Sequence, residues 1–289
     1  MECEMMWHFA EKILFCFHTN TALRHITGKI KMATDTFTQY SIIQAPENEE
    51  LVPWFQPIVC VHTGQLSGCE ILIRRKDQQS VEGIPETFIS QIEDSGRIVP
   101  VTCSIMEKIS EILLSVNEDL PFNFYVAFNV TAECLLSTEF EKACIQFIQH
   151  PGNRNVKLVL ELTERSPVPV TTDICQALYR LRQHGISIAL DDFGTGYNGY
   201  RYLQKFPVNL IKLDKTFVQA SVTDEIAGNI IDSIITLSHK LGCKVVAEGT
   251  ETLAQVCSAL NRDADYLQGY FFSPPVNGKQ FITEWLKRD

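Results

Sequence analysis

The chain has 289 residues, 45% of them hydrophobic, which is enough to bury a large core. Its formal net charge is −10 and its pI is near 5.2. No stretch rich in Lys and Arg is present to neutralise many phosphates. These properties argue against a nucleic-acid polymer as partner, and they leave open a small phosphorylated ligand if metal ions supply positive charge.

The cysteines and the apolar runs indicate the cellular compartment. Ten cysteines are scattered along the chain without a C-x-x-C pair, which is typical of small core residues in a reducing environment. No apolar run approaches the roughly 18 residues needed to span a bilayer. We therefore expect a cytoplasmic protein with no membrane span.

Residues 1–50 are predicted to form an N-terminal extension to a single main domain over residues 51–289. Apolar residues recur at helical spacing near its start, at Met6, Phe9, Ala10, Ile13, Leu14 and Phe17. This pattern favours an amphipathic helix that docks on the main domain or on a partner, over one that binds a membrane surface. The more polar residues 19–50 are predicted to be a linker.

Beyond Glu50, short apolar runs alternate with helix-like segments. The predicted strands are 52–59, 69–73, 124–130, 157–162, 186–190, 209–213, 243–247 and 265–271. The predicted helices are 86–94, 101–116, 132–149, 172–184, 224–241, 252–261 and 278–287. Eight strands separated by helices predict an α/β fold, a (β/α)₈ barrel of the TIM type. The first two strands are joined only by a short turn around residues 62–64, so the first strand is expected to run antiparallel.

One apolar run stops abruptly at Asp191 and Asp192 and is followed by Phe193-Gly194-Thr195-Gly196. Neighbouring side chains on a strand point to opposite faces, so the two carboxylates can act together only where the backbone turns. They also repel each other unless a cation or a shared proton compensates. Taken alone, the motif could equally be a helix cap followed by a glycine turn.

Other polar residues stand at the ends of predicted strands, namely Glu70, Asn129, Glu161, Glu164, Lys212, Glu248 and Gln268. Each one alone is more often an ordinary ion pair, turn residue or buried amide. In a barrel, however, all of them would converge on one face, where so many carboxylates would need costly mutual pairing. Converging oxygen ligands without cysteines or paired histidines indicate Mg²⁺ or Mn²⁺ rather than zinc.

These residues resemble the EAL-domain cyclic di-GMP phosphodiesterases over about residues 51–287. The motifs follow the family's order: Gln56-Pro57-Ile58, Glu70-Ile71-Leu72, Asn129, Glu161-Leu162-Thr163-Glu164, Asp191-Asp192-Phe193-Gly194-Thr195-Gly196, Lys212, Glu248-Gly249-Thr250-Glu251 and Gln268-Gly269-Tyr270. The resemblance implies a (β/α)₈ barrel with an antiparallel first strand. It also implies hydrolysis of cyclic di-GMP to linear pGpG.

The resemblance further implies a role for each matching residue. Two divalent cations, Mg²⁺ or Mn²⁺, would be held by Glu70, Asn129, Glu161, Asp191, Asp192 and Glu248, with Asp191 bridging them. Lys212 would position the attacking water, while Glu248 would be either a metal ligand or a general base. The substrate would be contacted by Gln56, Leu72, Arg74 and Gln268. Glu164 would anchor the loop at 194–198.

Four positions depart from the family's pattern. Ile71 stands where the family usually has Ala, Arg75 replaces Trp, and Asn198 and Gly199 replace two serines. Ile71 is expected to crowd the end of its strand, and the two loop changes to loosen the loop. Two alternatives therefore stay open: a catalytically silent cyclic di-GMP receptor or protein-binding regulator, and a barrel enzyme that forms a metal-stabilised enolate. A homodimer is also left open.

Overall fold

The structure, a computed structural model, describes residues 51–76, 91–164, 167–196 and 198–287. Its strands are β1 (Leu51–Cys60), β2 (Leu66–Arg75), β3 (Tyr125–Asn129), β4 (Lys157–Thr163), β5 (Ser187–Phe193), β6 (Leu210–Leu213), β7 (Lys244–Ala247), β8 (Tyr266–Leu267) and β9 (Val276–Asn277). Strands β2 to β8 pair in sequence order, and β1 closes the sheet by pairing with both β8 and β2. The predicted eight-stranded barrel is therefore confirmed.

The helices of the described residues surround this barrel. They are α1 (Ile98–Leu114), α2 (Ala132–Leu136), α3 (Thr138–Gln149), α4 (Thr172–Gln183), α5 (Gly199–Lys205), α6 (Lys215–Ala220), α7 (Glu225–Lys240), α8 (Leu253–Asn261) and α9 (Gly278–Phe281). A 3₁₀ turn covers Pro151–Asn153 and a π-helical turn covers Ile282–Leu286. None of the described helices is long and apolar enough to cross a membrane.

Helix α4 shows how the sequence dictates these elements. Thr171 begins it by accepting a hydrogen bond from the Ile174 amide, which satisfies one of the unpaired amides of the first turn. Its buried residues, Ile174, Ala177, Leu178 and Leu181, recur at three- and four-residue intervals and so form one stripe against the barrel. The helix is therefore fixed on the sheet by one apolar face.

The first strand runs antiparallel to its neighbours, as its short connection predicts. The ladder between β1 and β2 extends from the pair Leu51 and Arg75 to the pair Val59 and Leu66, whereas β2 to β8 are parallel to one another. The connecting turn is closed by the Cys60 amide, which donates to the Gln65 carbonyl at 2.9 Å. Only a hairpin can join strands over so few residues.

The buried residues form two separate clusters, one outside the barrel and one inside it. The larger cluster lies between the strands and the helices. The smaller one fills the barrel interior with Ile58, Tyr125, Ala127, Val159, Ala189 and Val246, against which Leu210 and Tyr266 pack. The barrel is therefore a packed core, and space for a ligand remains only at its ends.

Two predicted segments differ from the structure. The segment 132–149 is two helices, because Ser137 has an extended backbone and accepts a hydrogen bond from the Phe140 amide, which begins a new helix. The segment 265–271 is a strand only over Tyr266–Leu267. A Cβ on Gly269 would lie 2.2 Å from the Thr250 carbonyl oxygen, so the chain turns there at a close backbone approach.

Three further predicted segments fall wholly or largely outside the described residues. The amphipathic segment 6–17 and the linker 19–50 lie in residues 1–50, which the structure does not describe. Of the predicted helix 86–94, only 91–94 is described, and it is helical. The domain division at residue 50 stays a prediction.

Candidate active site

The polar strand ends form the layer directly above the apolar barrel interior. On six strands, a residue that faces the barrel interior stands two positions before a site residue. The pairs are Ala127 and Asn129, Val159 and Glu161, Ala189 and Asp191, Leu210 and Lys212, Val246 and Glu248, and Tyr266 and Gln268. Because side chains alternate along a strand, residues two apart share a face. The apolar layer therefore closes the floor of the site and leaves it open at the carboxyl ends of the parallel strands.

Lys212 on β6 is the centre of this layer. Its side chain is fully buried, and Nζ lies 2.8 Å from oxygens of Glu161 and Glu248 and 3.2 Å from oxygens of Glu70 and Asp191. Burial alone would lower the pKa of Lys212, but the four carboxylates raise it well above its ordinary value. The ammonium therefore stays charged and joins four different strands.

Glu70 on β2 is held by three donors. Gln268 Nε2 donates to Oε2 at 2.6 Å, Lys212 Nζ lies 3.2 Å from the same oxygen, and Asn129 Nδ2 donates to Oε1 at 2.9 Å. Burial opposes ionisation of Glu70, yet Lys212 and the two amides together lower its pKa. Glu70 is thus a fixed carboxylate, and Gln268 Oε1 is buried without a hydrogen-bond partner.

The adjacent carboxylates Asp191 and Asp192 reach the same face because β5 is irregular there. Leu190 pairs with Ile211, but Phe193 pairs with Leu213, so the strand contains one extra residue as in a β-bulge. Asp192 has a φ of 53°, which turns the backbone at this point. Oxygens of Asp191, Asp192 and Glu248 consequently all lie within 4.8 Å of one another.

Three of the remaining carboxylates resist ionisation because they are buried and lie close to other carboxylates. Burial, partly offset by Lys212, raises the pKa of Glu161 well above its ordinary value and also raises that of Asp191. The same causes raise the pKa of Glu248 to about 8. One ammonium is too little positive charge for these acids, so the site favours additional cations.

The donor set fits divalent cations. Five carboxylates and one ammonium leave a net charge of −4 when all are ionised, which two divalent cations would balance. Every candidate ligand atom is a carboxylate or amide oxygen, the type that Mg²⁺ and Mn²⁺ prefer. The acidic cluster predicted from the sequence is therefore a plausible cation site on charge and chemistry.

Glu164 lies beside this cluster and contacts the loop after β5. Its Oε2 accepts hydrogen bonds from the amides of Gly194, at 3.3 Å, and Gly196, at 2.8 Å. Its Oε1 is buried and has no hydrogen-bond partner in the part of the chain that the structure describes. A Cβ on Gly199 would lie 2.1 Å from this Oε1, so a side chain at position 199 cannot coexist with this position of Glu164.

Of the predicted substrate residues, Gln268 donates to Glu70 within the cluster, and Gln56, Leu72 and Arg74 lie on β1 and β2 beside it. Gln56 is the register partner of Glu70, and Leu72 and Arg74 follow Glu70 on the same strand face. The Arg74 guanidinium lies 6.0 Å from the centre of the Trp54 ring. Trp54 was not among the predicted site residues, although its position two residues before Gln56 on an alternating strand was a signal for it.

Ile71, which was expected to crowd the end of its strand, lies on the outer face of β2. It pairs with Phe55, and both belong to the cluster between the strands and the helices. An alternating strand that directs Glu70 inward must direct Ile71 outward. This departure from the family's pattern therefore changes the outer core and leaves the site's ligands untouched.

Comparison with known proteins agrees with this geometry. The model of the EAL domain family matches residues 40–275. The chain belongs to the EAL domain family. This membership agrees with the (β/α)₈ barrel and with the acidic cluster at the carboxyl ends of its strands.

Curated EAL relatives carry names that describe their activity. The chain is 47% identical over 251 residues to "Cyclic di-GMP phosphodiesterase PdeL" of Escherichia coli, covering 87% of this chain and 69% of that protein. It is 37% identical to "Probable cyclic di-GMP phosphodiesterase PdeG" of the same organism, covering 81% of this chain and 46% of that protein. The chain thus spans about half the length of the second relative.

Solved EAL structures share the fold. "PaMucR Phosphodiesterase, c-di-GMP complex" superposes with a TM-score of 0.71 at 27% identity, covering 82% of this chain and 96% of that one. "Structure of EAL Enzyme Bd1971 - cAMP and cyclic-di-GMP bound form" gives a TM-score of 0.73 at 29% identity, covering 84% of this chain and 66% of that one. The first is described as a phosphodiesterase in complex with c-di-GMP, and the second as an EAL enzyme bound to cAMP and cyclic di-GMP.

Proposed function

We propose that this chain hydrolyses cyclic di-GMP to linear pGpG, using two divalent cations, Mg²⁺ or Mn²⁺. The observation that carries the proposal is the buried Lys212 ammonium with four carboxylates within 3.2 Å, at the carboxyl ends of the strands of an EAL-family barrel. Its similarity to PdeL supports the same substrate. In the reaction one phosphodiester P–O bond breaks and the elements of one water molecule are added.

The cations would be held by Glu70, Asn129, Glu161, Asp191, Asp192 and Glu248. When bound, two cations polarise a phosphoryl oxygen and lower the pKa of a water molecule. The burial and mutual repulsion of these carboxylates support this assignment, because cations would relieve both. Asn129 could supply its amide oxygen, since its Nδ2 already donates to Glu70.

The other residues of the layer act on water and protons. Lys212 has three protons and no lone pair while charged, so it holds the attacking water or the developing negative charge rather than a cation. Gln268 has a buried, unpaired Oε1 that can accept a hydrogen bond from that water. Glu248, with a pKa of about 8, could carry a proton near neutral pH, and it also lies where it could be a cation ligand.

The substrate side of the site consists of Gln56, Leu72 and Arg74. Arg74 carries a planar fork of N–H donors that suits phosphate oxygens. Leu72 offers apolar surface and Gln56 an amide for the nucleoside portion of the ligand. Glu164 would hold the loop after β5 through the Gly194 and Gly196 amides, and thereby keep Asp191 and Asp192 in place.

A catalytically silent receptor is the second candidate. The observation in its favour is the unpaired Glu164 Oε1 beside Gly199, which leaves the loop anchored by one carboxylate oxygen instead of two. Against it stands the complete set of acidic residues and the lysine. Metal-dependent turnover separates the two candidates.

The test is chromatography for pGpG after incubation of the purified chain with cyclic di-GMP and Mg²⁺ or Mn²⁺. We expect turnover that excess chelator abolishes. Lys212→Ala should slow hydrolysis by orders of magnitude and leave metal-dependent binding within roughly tenfold. Asp191→Ala should lose turnover and metal-dependent binding together. A parent protein that binds cyclic di-GMP but never cleaves it would establish the silent receptor instead.

We further propose that the chain forms a homodimer through α7. One face of α7 packs on the barrel, while Ile226, Ile230, Leu237 and Leu241 recur on the other at intervals of four, seven and four residues. Ile226 is 71% exposed and Leu241 51% exposed. The helix is acidic at its first turn and basic at its last, so two antiparallel copies would pair opposite charges as well as apolar stripes.

A reducing compartment such as the cytoplasm is the proposed location. All eight cysteines within the described residues are free thiols, and five of them are buried. Buried free thiols are typical of proteins kept in a reducing environment.

A further inference from the structure

Trp54 and Arg74 form a cation–π pair at the carboxyl ends of the parallel strands. Trp54 on β1 is the register partner of Leu72 on β2, and Arg74 is the next residue on the same face of β2. The Arg74 guanidinium carbon lies 6.0 Å from the centre of the indole ring. Both side chains are buried, so the pair is largely shielded from water.

The Arg74 guanidinium has one N–H group that is hydrogen-bonded and another that lacks an acceptor. Its Nη1 donates to the Ile73 carbonyl at 2.9 Å, which sets the orientation of the plane. Its Nε is buried and has no hydrogen-bond partner among the described residues, and the whole residue is only 7% exposed. A buried donor without an acceptor is costly, and a buried charge more so. The unpaired Nε–H of Arg74 therefore favours binding of a hydrogen-bond acceptor, and an anionic acceptor suits the guanidinium best.

We propose that Trp54 is a positioning residue for the substrate: its indole holds the Arg74 guanidinium in the orientation that presents the Nε edge to a phosphate oxygen of the dinucleotide. The proposal rests on the proposed function. It extends that function to a residue on a different strand, outside the predicted site.

Physical reasons favour tryptophan in this place. The indole face attracts cations more strongly than the other aromatic rings do, and the attraction grows when the pair is shielded from water. A guanidinium already held in its binding orientation loses less conformational freedom when the ligand arrives. Trp54 would thus strengthen binding without touching the reacting phosphate.

The first test compares the steady-state kinetics of Trp54 variants. We expect Trp54→Leu to raise KM for cyclic di-GMP about tenfold while kcat stays within about twofold, as for loss of binding shared by ground state and transition state. Trp54→Phe, which keeps an aromatic face, should raise KM less, by about threefold. Trp285→Leu is the matched control, because Trp285 lies with Leu66 and Pro121 near the amino ends of β2 and β3, and its KM should equal the parent's.

The second test asks whether Trp54 acts through Arg74. In an Arg74→Ala background, Trp54→Leu should change KM by less than about twofold, because the residue that it positions is gone. Equilibrium dialysis with labelled cyclic di-GMP, with Ca²⁺ in place of Mg²⁺ to limit turnover, should give the same pattern in affinity. Thermal unfolding of each variant shows whether it is folded. If Trp54→Leu is unfolded, the comparison is made with Trp54→Phe instead.

The outcomes separate this inference from the proposed function. An unchanged KM in Trp54→Leu and Trp54→Phe, or the same tenfold effect with and without Arg74, overturns the inference while the parent's turnover upholds the function. A parent that neither binds nor cleaves cyclic di-GMP overturns the function and this inference with it.

Discussion

Lys212 is the cation that partly offsets the negative charge of the site. It is 1% exposed and is the cation shared by Glu70, Glu161, Asp191 and Glu248. Breaking a buried ion pair by removing one partner typically costs about 3–5 kcal/mol, because an uncompensated charge is left behind. The same residue can therefore be tested for stability independently of turnover.

We expect Lys212→Ala to lower the melting temperature in chelator by roughly 10 °C, at about 2–4 °C per kcal/mol for a domain of this size. Mg²⁺ or Mn²⁺ should restore much of the loss, because cations bound to the native site stabilise it by mass action. Differential scanning calorimetry with and without the ions measures both effects. Lys205→Ala on exposed α5 is the control. Equal melting temperatures for Lys212→Ala and the parent in chelator would contradict the prediction.

Because Gly199 has no side chain, it leaves room for the Glu164 carboxylate that anchors the loop after β5. A Cβ there would lie 2.1 Å from Glu164 Oε1 and 2.7 Å from Phe193 Cε2, so Gly199→Ala should displace the carboxylate from the Gly194 and Gly196 amides. Hydrogen bonds to a charged group contribute about 1.5–3 kcal/mol, so hydrolysis should fall roughly tenfold or more. When activity is titrated with Mg²⁺ or Mn²⁺, Gly199→Ala should need a higher ion concentration for half-maximal activity than the parent. Glu164→Ala should reproduce the effect, and the double variant should add nothing to it.

At the scale of elements, Asp265 joins α7, β7 and β8. It accepts hydrogen bonds from Lys244 Nζ at 2.6 Å, from His239 Nε2 at 2.9 Å and from the Val245 amide at 2.9 Å. Burial opposes its ionisation, but these donors outweigh burial and lower the pKa of Asp265. The carboxylate therefore stabilises the fold above the unfolded-state pKa of about 3.9, and this contribution is lost as the pH falls through the lower folded-state value.

Because the pKa of Asp265 is lowered, the stability that its carboxylate contributes is present at pH 7. Asp265→Asn should reduce the free energy of unfolding by about 1–3 kcal/mol at pH 7, and the difference from the parent should shrink as the pH falls below about 4. Urea unfolding at several pH values measures this. Asp263→Asn is the matched control, because Asp263 is an exposed neighbour on the same turn. The assignment would be wrong if the difference in free energy of unfolding between Asp265→Asn and the parent stayed constant down to pH 3.

Periodicity predicted most elements of the fold, because each strand is buried on both faces and each long helix on one. The antiparallel first strand followed from the length of a single turn. The elements that periodicity missed, such as α5 and α6, span only seven and six residues, too few to show a period. The break at Ser137 depends on a cap hydrogen bond, which competes with a continuous helix and leaves no apolar signal.

Convergence of the site could be predicted from the strand ends, but its contacts could not. That Glu70 and Lys212 meet across the barrel depends on closure of the sheet, since they lie 142 residues apart in the chain. Asp191 and Asp192 share a face because of a bulge, which alternation alone would not predict. The outward direction of Ile71 also required the register of β2. Sequence therefore indicated which residues meet, and the register determined how.

At the scale of the whole molecule, the apolar stripe on α7 makes the proposed dimer testable. Two antiparallel α7 helices related by a two-fold axis would bring Ile230 near Leu237 of the second copy and bury both, which a carboxylate at position 230 would oppose. We expect Ile230→Glu to halve the mass measured by light scattering at concentrations where the parent is dimeric. Phe122→Glu is the control, because Phe122 is 88% exposed but lies in the loop before β3. A monomeric parent would overturn the proposed dimer, and a dimer that survives Ile230→Glu or dissociates with Phe122→Glu would place its interface away from α7.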